Sequence, residues 1–233
     1  IGLTGDGLFA LPNGAAGVQI FDAPGTVIGG ASTSERNVIS GNNGAGIDIN
    51  GASASGTQIV GNIIGLDALG FTAVPNAHGI VIDRAPNTVI GGAGGSAGNV
   101  LSGHGLVGGV GIAVKGATAI GTTILGNFIG TNATGSQVFP NLHGIEIIDA
   151  QSTVIGGSSL GAGNIISGND QIGILISGTT TSGTTVQGNR IGTNPAGSTG
   201  EQSTISVVLR DGNNNLVANQ TVNFTLIDVT GGA

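Results

Sequence analysis

Three short landmarks each recur six times along the chain, and the distances between them alternate without exception. A Gly-aliphatic-x-aliphatic element begins at Gly17, Gly46, Gly79, Gly111, Gly144 and Gly173. A threonine element begins at Thr26, Thr57, Thr88, Thr122, Thr153 and Thr184, and an Asn-x-aliphatic element at Asn37, Asn62, Asn99, Asn127, Asn164 and Asn189. Gly to Thr runs 9, 11, 9, 11, 9, 11 residues, and Thr to Asn runs 11, 5, 11, 5, 11, 5. Thr to Thr is 31 residues, except for 34 between Thr88 and Thr122, where a three-residue insertion falls near Leu106 to Gly109. A period of this length sustained over six copies is the mark of a repeat architecture, in which each unit buries its apolar face only against its neighbours.

The nature of the unit follows from its residues. Glycine returns every few positions, which excludes helix. Three short alternating elements separated by Gly and Asn read as three strands and three turns. The reading is therefore all-β: a parallel β-helix of about six three-strand coils, each strand pairing with its equivalent in the next coil. At about 4.8 Å per rung, six coils span roughly 29 Å. Alternation assigns the interior. Val18, Ile47, Ile80, Ile112, Ile145 and Ile174 form one inward column of the first strand, and Ile20, Ile49, Ile82, Val114, Ile147 and Ile176 the next. The second strand supplies Ile28, Ile59, Ile90, Ile124, Ile155 and Val186, and the third Ile39, Ile64, Leu101, Ile129, Ile166 and Ile191. Stacked Asn amides are expected to hydrogen-bond from rung to rung, and the Thr column to do likewise.

Composition agrees with a core of small aliphatic groups. There are 48 glycines without a three-residue period and only 6 prolines, so the chain is not collagen. A hydrophobic content of 39% argues against disorder. The net charge of −7, with Lys115 the single lysine, offers no footprint for nucleic acid. No apolar run reaches the length of a membrane span. Without cysteine there are no disulfides and no thiolate metal sites. A longer repeat, "IGLTGDGLFALPN" at Ile1, "IGLDALGFTAVPN" at Ile64 and "IGTNATGSQVFPN" at Ile129, opens again at Ile191, so the chain starts in mid-phrase and reads as a processed or excised piece.

The phrases "NVISGN", "GIDING", "GNFIGTNATG" and "TVIGG" resemble the parallel β-helix repeats of large secreted or surface-anchored bacterial proteins. The resemblance covers residues 1–200. It implies an extracellular or cell-surface location and a structural role. The same fold is similar to that of pectate lyases and polygalacturonases, but a shared fold does not confer their chemistry.

The carboxylates and histidines are scattered. In the outward column Gln19, Asp48, Val81, Ala113, Glu146, Leu175, the two acids stand three rungs apart, roughly 14 Å, beyond the separation of an acid/base pair. Asp22, Asp83 and Asp149 end the first strand of odd coils, two rungs apart, and read as turn formers that accept nearby backbone N–H groups. His104, in "GHG", falls where sister phrases carry Asn42 and Asn169 and reads as drift at a turn; Asn42 is likewise read as a turn residue. His78 and His143 share a loop position two rungs apart, too far to share a metal directly. Loops ending Pro12-Asn13, Pro75-Asn76 and Pro140-Asn141 form a ridge that could hold a glycan, a neighbour, or calcium through Asp6 and Asp67, although Asn132 and Asn194 replace carboxylates later. A Thr column raises ice binding, yet Thr26 and Ile28 share one side, which places the column inside or at a corner. The sequence assigns no catalytic, cofactor-binding or metal-ligating residue and no cofactor.

After residue 200 the repeat stops. Residues 201–233 read as two strands, 204–210 and 221–229, similar to the opening of a bacterial immunoglobulin-like domain and incomplete alone. The expected function is that of an extracellular structural module: a stalk, adhesin segment or fibre subunit, joined through its open coil end and C-terminal strands. Its partners are neighbouring copies or flanking domains of a longer chain, with glycans as a further candidate, and with neither nucleic acid nor membrane insertion. The alternative is a carbohydrate-binding or polysaccharide-cleaving β-helix.

Overall fold

The computed structural model describes residues 1–94 and 96–192, and the backbone of a strand at 209–210. The first coil carries β1 (Val18–Phe21), β2 (Val27–Gly29) and β3 (Val38–Ile39), and each heads a sheet. Equivalent strands of later coils pair in parallel throughout, giving one seven-stranded and two six-stranded sheets. The first sheet stacks Val18 on Ile47, then Ile80, Ile112, Ile145 and Ile174. The second stacks Ile28, Ile59, Ile90, Ile124, Ile155 and Val186. The third stacks Ile39, Ile64, Leu101, Ile129, Ile166 and Ile191. These are the expected columns, and they make a continuous aliphatic core in which only Val18 and Ile191, at the two ends, are partly exposed. The expected parallel β-helix of six three-strand coils is the fold of this chain.

Strands of the second sheet run only three residues because the chain turns sharply after them. Gly29, Gly91 and Gly156 each adopt φ of 80° there, and a β-carbon on any of them would run into the side chain of Asn62, Asn127 or Asn189 in the following coil. Only glycine accepts both the left-handed backbone and the approach. The long connections after even coils are small hairpins: Leu3 bridges Ala10, Leu66 bridges Ala73 and Thr131 bridges Val138, all antiparallel. They project on one side, where Ala68 N–H donates to the Gly7 carbonyl at 2.9 Å, so the first two hairpins touch.

One registration differs from expectation. Asp83 is in line with Phe21, Asn50, Lys115 and Ile148, not with Asp22 and Asp149. The residue at the level of those two aspartates is Arg84, and Asp22, Arg84 and Asp149 share left-handed backbones, with φ of 51°, 64° and 56°. Asp22 and Asp149 do accept backbone N–H groups, but from Ser53 and Thr180 in the next coil rather than from their own turn. Asp83 instead pairs with the Arg84 guanidinium at 3.2 Å. Of the C-terminal segment, Leu209 and Arg210 pair in parallel with Ile176 and Ser177 and extend the first sheet by one strand. The rest of the expected immunoglobulin-like segment, and the boundary before it, lie outside the described residues.

Candidate functional site: two amide ladders and the outer face of the first sheet

The Asn that opens each third-sheet strand belongs to a continuous ladder. Its Nδ2 donates to the Oδ1 of the equivalent residue one coil on, from Asn37 to Asn62 at 3.0 Å, then at 3.1, 3.0, 2.9 and 2.8 Å to Asn99, Asn127, Asn164 and Asn189. The backbone N–H of each donates to the same oxygen at 2.9 to 3.1 Å. The second amide hydrogen goes backwards: Asn62, Asn99, Asn127, Asn164 and Asn189 donate to the carbonyls of Ile28, Ile59, Ile90, Ile124 and Ile155. Every polar atom of the buried amides is thus engaged, as a dry interior requires.

A second ladder runs beside it that the sequence reading did not assemble. Asn13 donates to Asn42 at 2.8 Å, Asn42 to Asn76 at 2.8 Å, and Asn141 to Asn169 at 3.0 Å, with His104 between Asn76 and Asn141. The Pro-Asn loop ends and the Ser-Gly-Asn turns are alternate rungs of this one column. Asn42 and His104, read as turn residues, are rungs of this column, and both are buried. The available signal was spacing, since each member lies three or four residues before a first-strand glycine until the insertion after His104 displaces one. Between the phrases, Ser40 and Ser102 are also buried; each hydroxyl donates to a carbonyl, of Leu66 and Thr131, and accepts an N–H, of Gly65 and Gly130.

The threonine column behaves otherwise. Thr57, Thr88, Thr122 and Thr153 are fully buried, and their hydroxyls, with that of Thr184, have no hydrogen-bond partner among the described residues. The expected hydroxyl ladder does not form. A buried column also offers ice no surface.

On the outer face of the first sheet, Asp48 accepts from Gln19 at 3.2 Å. Asp48 and Glu146 are separated by Val81 and Ala113 in the register, three strand steps, so the pair remains too far apart for acid/base work. Glu146 is occupied instead by His143: Nδ1 lies 2.7 Å from Oε1, and Nε2 lies 3.0 Å from Gln171 Oε1 in the next coil. His78, two coils earlier, accepts the Val110 N–H on Nδ1 at 3.2 Å. Burial holds its pKa below the ordinary imidazole value; Lys115 acts in the same direction and Glu146 against it. Asp6 and Asp67 each spend a carboxylate oxygen on N–H groups of their own hairpins, Leu8 for Asp6, and Phe71 and Thr72 for Asp67. Among the described residues no three acids or histidines gather into a metal-binding group. No helix among them is long and apolar enough to cross a membrane.

No family model matches the chain. No curated protein matches it. Among solved structures it is similar to trypsin-treated QnrB1, described as a plasmid-mediated fluoroquinolone resistance protein, at 11% identity over 91% of this chain and 92% of that one. The TM-score is 0.25, too low to carry any argument about this chain.

Proposed function

We propose that this chain is an extracellular structural module of a bacterial protein: a stalk, adhesin segment or fibre subunit that continues end to end with further coils. The observation that carries this reading is the common direction of the two ladders. In both, side-chain amides donate toward the C-terminal coil and accept on Oδ1 from the N-terminal side. Asn13 and Asn37 consequently present Oδ1 atoms that accept nothing from any described residue. A coil that meets this face must bring donors, which means the C-terminal face of a like coil and therefore head-to-tail order. That coil comes from flanking sequence or from a second copy. Light scattering and electron microscopy on residues 1–233, with and without residues 201–233, test the copy-to-copy version. Concentration-dependent end-to-end assembly that deletion alters is expected. A monomer at all concentrations that deletion leaves unchanged would refute joining between copies.

The hydrogen-bonded His143–Glu146 pair on the outer first sheet favours a second reading, a carbohydrate-binding or polysaccharide-cleaving surface. Incubation with acidic and neutral polysaccharides, with calcium, checks it. New reducing ends or unsaturated products would replace the structural reading.

A further inference from the structure

Three asparagines of the chain precede a glycine, at Asn13–Gly14, Asn43–Gly44 and Asn50–Gly51. The pairing has a chemistry of its own. Glycine has no side chain to shield its backbone nitrogen, which can attack the amide carbon of the preceding asparagine. The fold closes two of the three pairs to that attack. Asn50 ends the strand Ala45–Asn50, its amide is tied to Asp83 and Arg84, and the Gly51 N–H donates to the Asp83 carbonyl at 3.0 Å. Asn43 is exposed, but the Gly44 N–H donates to the Ala15 carbonyl at 2.9 Å. Gly44 is also packed so closely that a β-carbon on it would stand 2.7 Å from the backbone of Ala15 and Ala16.

Asn13–Gly14 differs on each count. Both residues are exposed, the chain bends at Gly14, and the Gly14 N–H has no hydrogen-bond partner among the described residues. A β-carbon on Gly14 would meet nothing within 4 Å. The Asn13 side chain is held by its ladder bond, Nδ2 to Asn42 Oδ1 at 2.8 Å.

We infer that Asn13 is a site of spontaneous modification, at which deamidation cuts the second ladder at its first rung. The Gly14 nitrogen gives up its proton to base and bonds to Asn13 Cγ. The Cγ–Nδ2 bond breaks, Nδ2 leaves as ammonia, and the pair closes into a cyclic imide. Water then opens the imide, at the side-chain carbonyl to give aspartate or at the main-chain carbonyl to give isoaspartate. The net change takes up water and releases ammonia, with nothing oxidised or reduced. Either product lacks the Nδ2 donor and carries a carboxylate, so Asn42 Oδ1 loses that donor and meets negative charge. The isoaspartyl product also turns the Asn13 main-chain carbonyl, which accepts the Asn43 N–H at 3.1 Å, into the free carboxylate. Asn43 and Gly44 both donate to this loop, so its release opens the second pair after the first.

A coil seated on the first one would bury Asn13, as Asn42 and Asn76 are buried further along the ladder. Deamidation therefore marks a first coil left bare. On the head-to-tail reading proposed above, on which this consequence rests, an unpartnered end loses one of its two amide acceptors with age.

The test is to age residues 1–233 at physiological temperature, at neutral and mildly alkaline pH, and to follow the peptides by mass spectrometry and isoaspartyl methyltransferase labelling. Asn13 should convert about tenfold or more faster than Asn43 and Asn50, faster still at the higher pH, with Asn43 second. Gly14→Ala fits the open space and a backbone that is not left-handed, and its methyl group shields the nitrogen, so conversion at Asn13 slows and that at Asn43 is delayed. In light scattering, aged parent chains should lose end-to-end association that aged Gly14→Ala chains keep. Conversion at Asn43 or Asn50 ahead of Asn13, an intact Asn13, or Gly14→Ala chains that convert as fast as the parent would overturn the inference. If neither fresh nor aged chains associate while Asn13 converts first, the head-to-tail reading between copies fails and the modification site stands.

Discussion

The asparagine and threonine columns recur with the same regularity, occupy the same six coils and are equally buried, yet one is fully hydrogen-bonded and the other has no bonds at its inner rungs. The difference is reach. Equivalent atoms of successive coils repeat about 4.8 Å apart, and a hydrogen bond needs about 2.9 Å between donor and acceptor. An asparagine amide carries its acceptor and donor on separate atoms, so the group itself spans most of the rung. A hydroxyl is a single atom, and a stack of them leaves each too far from the next. Recurrence therefore identifies a position under geometric constraint, but the chemistry of the side chain decides whether the stack contributes bonds or only volume.

The strongest way to break the contrast is to remove one rung of the complete ladder. Asn127→Ala deletes the Oδ1 that serves both the backbone and side-chain N–H groups of Asn99, and leaves the Ile90 carbonyl without its side-chain donor. With Asn99 fully buried, no water replaces these bonds. The expected loss is about 3 kcal/mol in denaturant unfolding, since each orphaned buried group costs about 1–3 kcal/mol. An unchanged midpoint would mean that the ladder contributes nothing.

Asn42→Ala should cost less, about 1 kcal/mol. The reason is not exposure at its turn. It is buried, but its upstream neighbour Asn13 is exposed and can turn to water, and Asn76 Oδ1 keeps the backbone N–H of residue 42. If Asn42→Ala were as damaging as Asn127→Ala, the exposed end of the second ladder would be as tightly held as the middle of the first.

These cases also show what the sequence made legible. The inward columns could be read because strand alternation has a period of two and the coil period is constant, so counting places Ile47 on Val18 and Ile80 on Ile47. The first ladder was legible for the same reason, all six members opening one phrase. The second was not, because its rungs come alternately from hairpin ends such as Asn76 and from Ser-Gly-Asn turns such as Asn42, with a histidine in one of them. Only the closed coil brings the two families into one line. Asp83 was misplaced by a single residue, enough in a strand to move a side chain to a different position. The His143–Glu146 contact depends on the start of the strand His143–Ile148, where the chain enters from a hairpin, and no spacing rule reports that.

The smallest expected effect tests the other half of the contrast, and its sign is opposite. Thr122 sits between Thr88 and Thr153 with its Oγ1 buried and unpartnered. Thr122→Val keeps the branched shape, so the packing around Ile124 and along the column is preserved. What changes is that a hydroxyl which loses its water on folding and gains no bond is replaced by a methyl group. Removing that desolvation cost should stabilise the chain by about 1 kcal/mol, toward the lower end of the range for an unpaired buried hydroxyl because the unfolded chain also loses a well-hydrated group. For a chain of this size that corresponds to a rise of about 2–4 °C in melting temperature. The same replacement at the half-buried Thr123, whose side chain faces outward on the same strand, should leave the midpoint within about 0.5 kcal/mol. A fall in stability for Thr122→Val would show that the column's hydroxyls find acceptors after all, and the distinction between the two columns would then be one of bond strength rather than of reach.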